Sequence, residues 1–179
     1  QPAPRNRGRY RDAKIVYPET MANTEDNYQT QPHWVRQRRY SIHGIDHMQT
    51  GPFDMDPVPS LDRLYKDYCE TIYGMDENIG RVLAFLDQQQ LNDETLVLYL
   101  GDNGFMIGEH GLCDKRVAYE TSSRGPRLMQ CPEIIKGGTF VDEVVANIDI
   151  APTVMQAMGL KKPPHMDGQS FLPLAEGKS

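Results

Sequence analysis

The run Thr95-Leu96-Val97-Leu98-Tyr99-Leu100 breaks directly into Gly101-Asp102-Asn103-Gly104. A short, continuous apolar run bounded by turn residues suits a strand buried on both faces, as in a parallel sheet flanked by helices. Upstream, Ser60 precedes Leu61, Leu64, Tyr65, Tyr68, Ile72, Met75, Ile79, Val82, Leu83 and Leu86. Steps of three and four put these on one stripe, predicting an amphipathic helix from Ser60 to about Gln90 with Ser60 as N-cap. Gly74 and Gly80 are its weak points. Downstream, Arg127 to Cys131, closed by Pro132, reads as a second strand. Gly137-Gly138 reads as a turn, and Val144 to Ile148 as a short strand or extended link. A helix is expected over about Ile150 to Met158, capped by Asp149, with Pro152 in its first turn and Gly159 at its end. The tail from Lys161 reads as loop. Helix, buried strand, loop, strand and helix together indicate an α/β layered domain.

At 179 residues the chain is one domain or a large piece of one. Residues 1–59 are rich in Pro, Asn, Thr, Arg and Tyr without sustained periodicity and read as an irregular, partly wrapping segment, with a short helix around Thr30 to Tyr40. The Arg-rich head (Arg5, Arg7, Arg9, Arg11) reads equally as solvated surface. A net charge of −6 argues against a general nucleic-acid binder, whose affinity rests on neutralising phosphates. Apolar runs fall far short of the roughly 18 residues of a membrane helix. Three cysteines, none in a C-x-x-C pair, exclude a disulfide scaffold. The opening Gln1-Pro2-Ala3-Pro4-Arg5 has neither Met nor an apolar leader, so the chain is expected to begin inside a longer protein.

Chemistry is concentrated just after the apolar run. Sites in open α/β sheets lie at the carboxyl ends of strands, so Asp102 and Asn103 are expected at that rim. A carboxylate beside an amide oxygen is a pair of hard donors of the kind Ca²⁺ or Mg²⁺ takes. Asp-Asn-Gly is also ordinary turn chemistry, and both readings stand on these residues alone. Lys115 could serve as a point-charge donor to a tetrahedral oxyanion. His110 could donate a proton or contact an anion near neutral pH. His33, His43 and His47, with Trp34 and Arg36, fit either a sugar-contacting loop or structural positions, the latter because their spacing matches no metal motif. His165 has the same status.

An ordered set of motifs then resembles the sulfatase family of the alkaline-phosphatase superfamily. It runs from Tyr68 through Asp76 and Leu83 to Asp93-Glu94-Thr95-Leu96-Val97 and Gly101-Asp102-Asn103-Gly104. It continues through Gly108-Glu109-His110-Gly111, Asp114-Lys115-Arg116, Tyr119-Glu120 and Arg124-x-Pro126. Asp149-Ile150-Ala151-Pro152-Thr153 and Asp167-Gly168-Gln169-Ser170-Phe171-Leu172 complete it. The resemblance implies an alkaline-phosphatase-like three-layer sandwich, seen in part: the second half of the sheet and its helices. Residues 60–179 would then be the C-terminal part of a sulfatase-type catalytic domain.

The same resemblance implies a divalent cation, Ca²⁺ ahead of Mg²⁺, held by Asp102 and Asn103, and a sulfate contact at Lys115. It implies loop-forming or pocket-lining roles for His110, Glu109, Arg116 and Glu120, and structural ones for Asp76, Gly80, Arg124 and Asp149. The family nucleophile is a formylglycine made from C/S-x-P-S-R, and Cys69, Cys113 and Cys131 all lie outside such a motif. The formylglycine is therefore expected in an upstream part, and the isolated chain is expected not to turn over sulfate esters. The implied substrate is a sulfated small molecule or glycan, and the implied compartment is an exported one: periplasmic, extracellular or lysosome-like. A phosphoester or phosphonate hydrolase of the same superfamily, and a non-catalytic binding remnant, are the alternatives.

Overall fold

The computed structural model describes residues 1–21, 24–39, 41, 43–45 and 57–178, so His47 lies outside the described residues. These divide into two compact units, Gln1–Arg81 with Asn103–Pro126, and Val82–Asp102 with Arg127–Ser179.

In the first unit, α2 (His33–Arg39) falls where the short helix around Thr30 to Tyr40 is expected, and α1 (Glu25–Thr30) precedes it in the stretch expected to be irregular. Helix α3 (Pro57–Gln88) begins earlier than its apolar pattern suggests. Pro57 and Pro59 lack an N–H, which the first helical turn leaves without an intrahelical partner anyway, so Ser60 falls inside the helix rather than capping it. At its far end Gln90 adopts φ +58° and the Leu91 N–H returns to the Leu86 carbonyl at 2.8 Å. The N-terminal stretch runs along α3. Arg5 pairs with Glu77 at 3.0 Å, the Tyr10 N–H donates to Glu70, and Lys66 donates to the Arg11 carbonyl. The Arg9 guanidinium lies 3.6 Å from the Tyr73 ring centroid, a cation–π contact. Of the α3 stripe only Leu61 is fully hidden. Leu64, Tyr65, Tyr68, Ile72 and Met75 stay 37–45% exposed.

The unit's core is Val35, Met106 and Leu112, with Val117 and Tyr119 packed on it. Strands β2 (Met106–Ile107) and β3 (Cys113–Asp114) pair antiparallel across the glycine loop, and the Cys113 N–H donates to the His43 carbonyl. Short helix α4 (Glu120–Ser123) closes the unit.

In the second unit, β1 (Val97–Leu100) pairs with β4 (Arg127–Gln130), Val97 opposite Gln130 and Leu100 opposite Arg127. Both strands fall where expected, but the pairing is antiparallel and all four β1 residues are only part-buried. An antiparallel ladder tolerates one solvated face, which a helix-flanked parallel sheet does not. Residues 144–146 are an extended link, not a strand.

Helix α5 (Ile150–Ala157) matches its predicted span, with Gly159 at φ +69° closing it. Asp149 holds the N-cap position, but its side chain makes no capping bond to the helix. Its carboxylate accepts instead from the Ala146 N–H at 2.7 Å and the Gln169 N–H at 2.8 Å, tying the tail back to the helix start. The tail is also more than loop, because α6 (Leu172–Ala175) buries Leu172 and Ala175.

Candidate functional site

Three carriers in the first unit assemble the site: the turn at Asn103-Gly104, the glycine loop with β3, and α4. Glycine at 104 is a steric necessity. A Cβ there would lie 2.1 Å from the Thr121 carbonyl oxygen. That close approach lets the Gly104 N–H donate to the Ser122 carbonyl at 2.9 Å. The buried Ser122 hydroxyl donates in turn to the Lys115 carbonyl in a very short bond. One residue of α4 therefore fastens both the Asn103 turn and the Lys115 backbone. The consequence is direct contact: Lys115 Nζ donates to Asn103 Oδ1 at 3.0 Å. Asn103 Nδ2 is spent on the Gly104 carbonyl at 2.7 Å, so its amide orientation is set.

The loop between β2 and β3 is braced from within. The Glu109 carboxylate accepts from the Ile107 N–H at 2.6 Å, and Gly108 and Gly111 take φ of +108° and +72°. Asp114 is a buried hub between His43, at 2.5 Å, and Arg116. Burial pushes the Asp114 carboxyl up, but the Lys115 backbone N–H, Arg116 and His43 together outweigh it and hold it below the usual carboxylate range. This fixes His43 as a structural residue and keeps a full negative charge beside the Lys115 backbone. Cys113 is buried, and burial pushes its thiol up to about 11, which leaves it protonated and inert at neutral pH.

His110 sits at φ +56° and stacks on Tyr119, ring centroids 3.8 Å apart and planes 11° from parallel. Burial pushes its imidazole down and Glu109 only partly offsets this, so the neutral ring is the form present at neutral pH. An open cavity of about 690 Å³ is lined by residues including Tyr68, Asn103, Glu109, Glu120, Thr121 and Arg124. Glu120 and Arg124 pair across one turn of α4 at 3.0 Å.

Asn103, Glu109 and Lys115, close together in the loop after the apolar run, are thus brought to one place, and Glu120 joins them from α4. Asp102 precedes Asn103 in the chain and is exposed, its carbonyl accepting from Asn147 Nδ2 at 2.8 Å within the second unit. A carboxylate and an amide oxygen are donors of the kind Ca²⁺ takes, but two such side chains fall short of the six to eight oxygens it needs. Among the described residues no group of three or more His, Cys, Asp or Glu side chains is placed to hold a metal ion. Ser122 was not foreseen. A serine in Thr121-Ser122-Ser123 carries no signal until the backbone it staples is in place.

The family model "N-sulphoglucosamine sulphohydrolase, C-terminal" matches residues 108–179. An N-acetylglucosamine-6-O-sulfatase of Bacteroides thetaiotaomicron is 38% identical over 113 residues, covering 63% of this chain. This chain spans only 20% of that relative's length. Among solved structures, BT4656 in complex with its substrate D-glucosamine-2-N,6-O-disulfate aligns over the whole chain with a TM-score of 0.76 and 26% identity. The alignment covers 45% of the BT4656 chain. The phosphonate monoester hydrolase SpPMH of Silicibacter pomeroyi aligns over 93% of this chain and 33% of its own, with a TM-score of 0.79 and 25% identity.

Proposed function

We propose, from the premise that this chain belongs to the sulfatase family of the alkaline-phosphatase superfamily, that it forms the sulfate-holding side of a sulfuric ester hydrolase. The observation that carries this is the 3.0 Å contact between Lys115 Nζ and Asn103 Oδ1. Lys115 has three donors, and one spent on Asn103 leaves two for the oxygens of a bound sulfate ester. An ammonium held in place before the substrate arrives stabilises negative charge on those oxygens without reorganising during reaction. Ser122 keeps that ammonium at its post, and Glu109 keeps the loop folded.

Asp102 and Asn103 are two ligands of a Ca²⁺ ion in this reading, with the other ligands supplied from elsewhere in the parent protein. Calcium, when bound, would add Lewis-acid polarisation of the ester oxygens. The attacking formylglycine likewise belongs to a part of the protein other than these residues. A sulfated sugar is the substrate class that the B. thetaiotaomicron relative and BT4656 support by what they are named for. Export of the protein goes with this proposal on the strength of the family resemblance. Among the described residues no helix is long and apolar enough to cross a membrane.

The test is calorimetric titration of the chain with sodium sulfate in the presence of Ca²⁺, for the unmodified protein, Lys115→Met and Asn103→Ala. Saturable binding that both substitutions abolish is expected, and a Lys115→Met chain that binds sulfate unchanged refutes the assignment. The likeness to SpPMH supports a second reading, a phosphonate ester hydrolase. Tighter binding of methylphosphonate than of sulfate at the same residues would favour it.

A further inference from the structure

Trp34 is the sole tryptophan of the chain, and it is 48% exposed. Its neighbour Val35 is fully buried in the core, which pins α2 and prevents Trp34 from turning inward. The exposure is therefore built in, although hiding an indole is among the larger hydrophobic gains open to a side chain. The ring does not stand alone. Trp34 stacks on Tyr119 with centroids 6.0 Å apart and planes at 29°, and Tyr119 stacks on His110. Three rings thus form one series, anchored by the buried Val35 next to Trp34 in the chain, by Tyr119 packing on the core, and by the His110 backbone N–H donating to the Thr20 hydroxyl.

Position gives the series a use. Tyr119 immediately precedes Glu120, and His110 immediately follows Glu109, and both glutamates wall the cavity that Asn103 enters. Arg38 follows Trp34 by four residues on α2 and so lies on the same helix face, one turn away. Because the rings stack face to face, the flat apolar surface left open is the indole of Trp34, 48% exposed and backed by Tyr119. Such a face suits a pyranose ring, whose axial C–H groups are apolar while its hydroxyls and sulfates reach polar partners. His110 is kept neutral by burial, so the stack carries no charge of its own to repel or solvate.

We propose that the exposed Trp34 indole, backed by Tyr119 and His110, is the stacking platform for a sugar ring of an anionic, sulfated saccharide whose sulfate is held at Lys115, with Arg38 as the flanking cation. This rests on the sulfate-ester reading above and names the part of the site that recognises the sugar rather than the sulfate.

Because Trp34 is the only indole, the intact, unmodified chain reports on itself. Titration with D-glucosamine-2-N,6-O-disulfate is expected to give a saturable change in tryptophan emission and protection from iodide quenching. Inorganic sulfate at saturation is expected to give neither, though calorimetry still detects its binding. Trp34→Ala is expected to weaken the disulfated sugar roughly threefold to tenfold, the range of one aromatic stack, while sulfate affinity holds. Retained sulfate binding in that variant also shows that it folds. Sulfate that binds while Trp34 is silent to the sugar overturns the platform and leaves the sulfate reading intact. An emission change of equal size with sulfate alone also overturns it, and loss of both sugar and sulfate binding in the unmodified chain overturns both.

Discussion

Replacing Gly104 with alanine tests the arrangement on which the site depends. Its φ lies outside the left-handed region, so alanine would be conformationally acceptable, and only space is at issue. The added methyl would sit 2.1 Å from the Thr121 carbonyl oxygen and 2.7 Å from that of Arg124. Both obstacles are backbone, so neither can rotate away. Restoring van der Waals distance requires the turn to retreat from α4 by roughly 1.4 Å, given contacts near 3.5 Å. That stretches the 2.9 Å bond from the Gly104 N–H to the Ser122 carbonyl beyond hydrogen-bond range. Overpacking of this kind costs about 1–3 kcal/mol and the lost bond about 0.5–1.5, a combined loss near 2–4 kcal/mol. In a chain of this length that lowers Tm by roughly 4–16 °C. Urea unfolding followed by far-UV circular dichroism reads the loss, and sulfate calorimetry reads whether Asn103 has left Lys115. Gly80→Ala is the control, because nothing lies within 4 Å of its Cβ and it is interior to α3. It should stabilise by about 0.5–1 kcal/mol. A Gly104→Ala chain within 0.5 kcal/mol of the unmodified one, with sulfate binding intact, would refute the reasoning.

Asp149 makes a pH prediction for the second unit. Hydrogen bonds from the Gln169 and Ala146 N–H groups hold its carboxyl below the usual range. A depressed carboxyl contributes stability that is present above the unfolded value, about 3.9, and is lost as pH falls through the folded value. Asp149→Asn should therefore flatten the decline in stability below about pH 4 and cost no more than about 1 kcal/mol at neutral pH, because both bonds are solvent-accessible. An acid-unfolding curve unchanged by the substitution would contradict this. Cys113 makes a chemical prediction. With its thiol pushed up to about 11, the thiolate at pH 8 is about a thousandth of the total, against roughly a quarter for an ordinary thiol. Iodoacetamide labelling followed by peptide mass spectrometry should find Cys113 at least 100-fold slower in the folded chain than in urea, and equal rates would count against its burial.

Periodicity and punctuation are local properties, and what they govern was legible in the residues. The long amphipathic helix, the apolar strand ending in Gly101-Asp102-Asn103-Gly104, the strand from Arg127 and the helix closed by Gly159 all fall where spacing and turn chemistry put them. The nearness of Asn103, Glu109 and Lys115 was legible for the same reason, since few residues separate them. Partners far apart along the chain were not. Val97 faces Gln130 antiparallel, Asp149 reaches to Gln169, and Trp34 meets Tyr119 across 85 positions. A hydrophobic run specifies that a segment will be covered but carries no information on the direction of the strand that covers it. A serine or an aromatic ring likewise has many acceptable neighbours, and only the closed chain selects among them. Sequence alone therefore determined the strongly patterned segments, the long helix, the two strands and the helix closed by Gly159, while α1 and α6, which carry little periodicity, came only with the structure. Tertiary structure decided that Ser122 staples Asn103 to Lys115 and that Trp34 stays exposed against Tyr119, because those contacts exist only once chain closure has met their entropic cost.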